Sequence, residues 1–196
     1  MNCMIKNLPG LALIMLLPVL AAAQTQAVPG TDTFWKELEK LCGKAFAGIV
    51  AADTTDDPHF KDKAMVMHVR SCEKDRIRIP FFVGEDRSRT WVLTREKGRI
   101  LLRHDHRHED GKPDAVTMYG GWTTNTGLAT RQVFPADEET VKALPAAAPN
   151  VWWFDLEPGK FFSYNLRRIG SERVFSVKFD ITKEIKAPPA PWGWKD

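Results

Sequence analysis

The chain reads as a mainly β protein, an antiparallel β-barrel or β-sandwich of about ten short strands with one short N-terminal helix and one short inserted helix. Three observations predict this. Strand-like runs follow one another at short, regular intervals from 64 to 182. Turn residues such as Lys97-Gly98 and Asp110-Gly111 separate them at hairpin length. Several runs also alternate with the period of two that buries one face, as in 75–83, where Arg76 and Arg78 oppose Ile77, Ile79 and Phe81.

From the N-terminus, residues 1–23 have the pattern of a secretory signal. Lys6 gives a positive start, Leu8 to Leu20 is almost wholly apolar, and Ala21-Ala22-Ala23 offers the small residues at which a signal peptidase cuts. Pro9, Gly10 and Pro18 interrupt a segment already short of the roughly 20 residues that span a bilayer, so an anchor is the weaker reading. Cleavage leaves 173 residues, enough for one domain, divided into a lead-in (24–33), a single β domain (34–187) and a Pro/Trp tail (188–196). The protein is therefore expected outside the cytoplasm, in a periplasm or the medium, and soluble once the signal is removed.

The first predicted element is a helix. Phe34, Leu38 and Leu41 stand at i, i+4 and i+7, with Thr33 as N-cap and Gly43 as the stop. A strand follows at 44–52, and 53–63, rich in Asp and Thr and containing Pro58, is a loop. Strands are then expected at 64–71, 75–83, 88–96, 99–107, 114–119 and 128–134. Pro135 to Leu144 is the inserted helix; its acidic first turn suits the helix dipole and Pro145 ends it. Three more strands fit at 150–156, 160–168 and 172–182, and the tail is extended and packs by Trp192 and Trp194.

Without the signal the chain carries 27 basic and 25 acidic side chains, too even a balance for a nucleic-acid protein, and no basic run is interleaved with aromatics. Cys42 and Cys72 are the two cysteines that remain. In an oxidising compartment an isolated pair reads as a disulfide, worth roughly 3–4 kcal/mol for a loop of about 30 residues; reactive or metal-binding thiols are the alternative.

A helix leading into a glycine-flanked first strand resembles the start of calycin barrels, the lipocalins and fatty-acid-binding proteins. Gly43-Lys44-Ala45 stands where lipocalins carry Gly-x-Trp, so the likeness is one of layout. The chain also resembles a family of exported bacterial proteins, which implies no function. A calycin-like interior implies a small, partly apolar ligand. Phe162, Tyr164, Leu166 and Arg168 share one strand face, so Arg168 beside the Tyr164 hydroxyl is a candidate carboxylate clamp, as a guanidinium binds carboxylate through paired hydrogen bonds. Trp91, Tyr119 and Trp122 are the candidate lining, with the glycine-rich stretch Tyr119–Gly127 as a flexible lid or a plain connection.

The stretch RHDHRHEDG (103–111) carries the competing reading. On a regular strand His104, His106 and His108 continue the apolar face of Ile100 and Leu102, while Arg103, Asp105 and Arg107 look at solvent. Three inward imidazoles, with Glu109, are candidate ligands for a divalent metal, the one cofactor the chain suggests. The HxHxDH pattern of metallo-β-lactamases fails at His108 and Glu109, and the cupin pattern that begins at Gly98 meets Glu109 one residue early. Side chains two apart on a strand are about 6.5–7 Å apart, so one ion reaches two of them and a third only at a bend. The same stretch also reads as the charged tip of a hairpin closed by Asp110-Gly111. No GxSxG motif or local triad marks an enzyme. A metal protein using this strand, or an interaction module that meets a partner through its tail tryptophans, therefore stands behind ligand binding.

Overall fold

The computed structural model describes residues 29–195; the expected signal segment, 1–23, lies outside the described residues. Helix α1 (Gly30–Glu39) is followed by β1 (Ala45–Asp53), β2 (Met65–His68), β3 (Ser71–Glu73), β4 (Arg76–Val83), β5 (Asp86–Glu96), β6 (Arg99–His106), β7 (Tyr119–Trp122) and β8 (Arg131–Pro135). Helix α2 (Glu138–Ala143) leads to β9 (Asn150–Glu157), β10 (Phe161–Arg168) and β11 (Val174–Ile185). The strands form one antiparallel sheet in the order β7-β6-β5-β4-β2-β1-β11-β10-β9-β8, with β3 beside β4, curled into a nearly closed barrel. The first and last strands are neighbours, with Ala45 opposite Ile185 and Asp53 opposite Phe175.

Alternation fills the inside. In β9 the odd and even positions separate cleanly, burying Trp152, Phe154 and Leu156. Aromatic rings from opposite walls touch across the axis: Trp91 lies 4.6 Å from Tyr164, 5.7 Å from Phe154 and 6.3 Å from Phe179 between ring centres. The middle of the barrel is thus a packed core. Truncating any one of these rings to alanine costs about 3–5 kcal/mol by the usual transfer and cavity terms.

Helix α1 plugs one end. Phe34, Trp35 and Leu38 are fully buried, and Arg95 lies over the Trp35 ring at 5.2 Å. The helix starts three residues before the expected cap at Thr33, because docking extends it. Thr31 is buried and donates to the Gly98 carbonyl (3.1 Å), while the Asp32 and Thr33 amides both use the Pro29 carbonyl. Beyond the helix, the Cys42–Cys72 disulfide fastens the following turn to β3, with Cα atoms 6.2 Å apart. No helix among the described residues is long and apolar enough to cross a membrane.

Four expected elements differ. The run 64–71 breaks into β2 and β3, since the amides of Val69 and Arg70 turn to the carbonyls of Lys44 and Arg78. Of the strand expected at 114–119 only Tyr119 is in one, as the start of β7, and 114–118 are an irregular crossing: Thr117 Oγ1 takes the His106 amide, and the Asp114 and Met118 amides go to His106 and His104 carbonyls. The inserted helix shortens to α2, capped by Asp137, whose carboxylate accepts the Thr140 amide. The expected lid is a strand. Tyr119–Trp122 pairs with β6 and closes the barrel.

That closure depends on two glycines and one hydroxyl. A Cβ at Gly120 would lie 2.0 Å from the Leu102 carbonyl oxygen, and one at Gly121 only 1.8 Å from that of Pro135. On its free edge, β7 is stitched by α2. Thr140 Oγ1 accepts the Gly120 amide (2.7 Å) and donates to the Gly120 carbonyl (2.8 Å), which also takes the Asp137 amide (3.1 Å). Arg103, buried on the outer face of β6, pins α2 through Asp137 (2.7 Å) and Glu139 (2.5 Å). The expected solvent face of β6 is accordingly covered at Arg103 and Asp105, which are 7% and 6% exposed.

Urea unfolding tests the seam. Thr140→Val, which keeps the shape and strands the buried Gly120 amide, should cost about 1–3 kcal/mol. Gly121→Ala should cost about 3 kcal/mol through the backbone shift it forces. An unfolding midpoint unchanged by Gly121→Ala would contradict the close approach to Pro135.

Candidate functional site

The end opposite α1 holds a cavity of about 130 Å³. Cross-strand register assembles its wall. Trp91 of β5 faces His104 of β6, Arg89 faces His106, and His104 in turn faces Tyr119 of β7. Phe81 stands behind Trp91, and Tyr164 and Leu166 arrive from β10. The β10–β11 hairpin adds Arg173 and Phe175, and the β1–β2 loop adds Thr55, Asp57 and Phe60 as a cover.

The inner wall is a directed chain of hydrogen bonds. His104 Nδ1 lies 3.0 Å from the Tyr119 carbonyl, so that nitrogen carries the proton and donates. Nε2 is then the acceptor and receives the Tyr164 hydroxyl at 2.9 Å. Burial, together with the nearby His106 and Arg103 charges, outweighs the carbonyl bond and drives His104 down to about 3. Burial likewise pushes the Tyr164 phenol well above its ordinary value.

Tyr119 lies flat on His104, with ring centres 4.6 Å apart and planes 12° apart, and its hydroxyl meets His106 Nε2 at 3.1 Å. Burial and then the Arg89 charge lower His106 to about 4, against weaker pulls from Asp114, Asp105 and Asp86. Burial raises the Tyr119 phenol to about 12. At neutral pH both imidazoles and both phenols are therefore uncharged.

Charge sits at the rim. Arg89 donates from Nη1 to Asp86 (2.6 Å), and its Nη2 lies 2.8 Å from His59 Nε2. Burial works against the Asp86 carboxylate, but hydrogen bonds from Ser88 and the Arg89 guanidinium hold it at about 2. His59 also approaches Asp86 at 3.1 Å, so the covering loop is tied to β5. Phe60 completes the tie, under the Arg89 guanidinium at 5.9 Å and against Phe175 at 4.4 Å.

Of the residues singled out from sequence, Trp91, Tyr119 and Tyr164 line the cavity together. Trp122 lies elsewhere, on the outer side of β7 beneath Arg99 at 5.0 Å. Arg168 is also elsewhere, at the end of β10, where Nε donates to Asn150 Oδ1 at 3.0 Å. The rim guanidiniums belong instead to Arg89 and Arg173. Arg89 was within reach of sequence reasoning, since Arg89, Trp91 and Leu93 share one face of a single strand; Arg173 sits in a hairpin with no periodicity to mark it. Of the histidine strand, His104 and His106 come together inside, whereas β6 ends at His106 and leaves His108 and Glu109 exposed in the following turn. His104 spends both nitrogens on protein partners. Among the described residues no group of three or more His, Cys, Asp or Glu side chains is disposed to hold a metal ion.

Comparison with protein-family models, curated proteins and solved structures finds no match to this chain.

The two buried imidazoles set a pH dependence. Both have folded values below the ordinary 6.5, so the unfolded chain binds protons that the folded chain refuses. Their contribution is complete above pH 6.5 and is lost as pH falls toward about 4 for His106 and about 3 for His104. His68, also lowered by burial, acts in the same direction. Unfolding free energy measured from pH 7 to 4 should therefore drop, with each imidazole adding up to about 1.4 kcal/mol per pH unit. His106→Gln should remove about one proton from that slope; an unchanged slope would contradict the neutral buried state of His106.

Proposed function

We propose that the protein binds a small, partly apolar ligand in the mouth cavity of its barrel, and that it does so as an exported, soluble protein. The observation that carries the reading is the cavity's composition: flat aromatic walls from Trp91, Tyr119 and Tyr164, with guanidinium groups only at the rim. Ligand sites are concave, mostly apolar and oriented by few polar groups. The cavity is far smaller than the interior of a barrel that swallows a long chain, because the aromatic core fills the middle of this one. The Cys42–Cys72 disulfide supports an oxidising compartment and agrees with the export signal read in 1–23.

Thermal unfolding in the presence of small single-ring compounds tests this. A binder at about a hundred times its Kd should stabilise the folded state by about 2.7 kcal/mol. Leu166→Trp, which fills the cavity from its own wall, should abolish the response. Stabilisation that survives Leu166→Trp would place binding elsewhere, and an absence of response across neutral and charged rings would overturn the reading.

A further inference from the structure

We infer that the ligand is a planar, single-ring monocarboxylate, seated ring inward with its carboxylate at the Arg89 and Arg173 rim. This rests on the mouth cavity being a ligand site and adds the class of molecule that fits it.

Size sets the first limit. A dry cavity of about 150 Å³ takes a benzene molecule. The 130 Å³ here is of that order, enough for one ring with its substituent at the open rim and too little for a second ring or a long alkyl chain. Shape sets the second. Trp91 is stacked between Phe81 (4.9 Å, planes 13° apart) and Tyr164 (4.6 Å, 20°), and Tyr119 is stacked on His104. Both faces of Trp91 are thereby covered, so these stacks form rigid walls that cannot adapt to the guest, which favours a rigid ring over a flexible chain, since the latter must also lose rotamer freedom.

Charge sets the third. Arg89 commits two of its five N–H donors, to Asp86 and toward His59, leaving three. Among the described residues, Arg173 makes no side-chain hydrogen bond or ion pair; it acts on Asp53 only through space. Against these two cations stand two carboxylates: Asp86, which pairs with Arg89 (2.6 Å), and Asp57, which is turned to the His59 amide. Arg173 is thus the guanidinium with no partner of its own among the described residues, matched to a single carboxylate on the guest. Deeper in, the polar groups are the uncharged His104, His106, Tyr119 and Tyr164, so no second anion is compensated there. His106 Nδ1 makes no hydrogen bond within the described residues and is available to a polar substituent.

Calorimetric titration of the purified mature chain with benzoate, benzamide, octanoate and terephthalate decides the matter. Benzoate should bind at least about tenfold more tightly than its neutral isostere benzamide, and octanoate and terephthalate at least about tenfold more weakly than benzoate. Arg173→Gln, at an exposed side chain, should weaken benzoate about tenfold and leave benzamide unchanged. Benzamide binding as well as benzoate, with both lost in Leu166→Trp, would overturn the carboxylate class while the pocket reading stood. Octanoate binding more tightly than benzoate would overturn the single-ring class. No heat and no thermal stabilisation from any of the four would overturn both readings.

Discussion

The Thr140 hydroxyl on Gly120 is the contact on which the rest of the barrel depends. A sheet that stops short of closure leaves an edge of unpaired amides and carbonyls, which invites other chains. Here the edge of β7 is satisfied by a side chain and by the Asp137 amide; Gly121 has no Cβ to hold the Pro135–Asp137 backbone off, and Gly120 has none to hold β7 off Leu102. The consequence reaches the cavity. Holding β7 holds the Tyr119 carbonyl, that carbonyl selects the His104 tautomer, and the tautomer decides that Tyr164 donates to it. Seam and site are one hydrogen-bonded unit.

Within that unit, burial and hydrogen bonding work against each other in a way that leaves the inner wall polar and uncharged. His104 gains nothing from protonation here: its donor already has a carbonyl, its acceptor already has a phenol, and the Arg103 cation opposes a further charge, as Arg89 does at His106. Neutral groups with fixed proton positions impose direction without attracting ions. The charges are confined to the rim, where Asp86 holds Arg89 and Arg89 holds Phe60 of the covering loop.

The barrel's layout was legible because its causes are local. Period-two alternation marks β4, β9 and β10, and Lys97-Gly98 marks the turn between β5 and β6. Tyr164 was found for the same reason, by its parity on β10, whereas Trp91 and Tyr119 were picked out as aromatic candidates for the lining, Tyr119 at the start of the glycine-rich stretch. What escaped were features whose cause lies far along the chain. Gly120 and Gly121 look like a flexible loop until the Leu102 and Pro135 carbonyls are set against them. Arg168 has the right parity for the interior, but Asn150, eighteen residues before it, takes its side chain. Arg173 reaches the rim only through the hairpin geometry. His108 would have faced inward had β6 continued, but the crossing of Thr117 and Asp114 over its end stops the strand at His106.

The pairing of β1 with β11 has a bearing on how such a chain comes to be folded. Ala45 finds Ile185 only after every intervening strand exists, so β1 stays open on that side until the last strand arrives. Long-range pairings of this kind slow folding, since loop closure must precede any reward from contact. A chain delivered N-terminus first would present the exposed side chains Ile49 and Val50 of a half-paired strand for the whole interval. The early disulfide partners, both within the first half of the chain, can meanwhile lock the turn after α1 to β3 and give the N-terminal half a fixed surface on which the late strands dock.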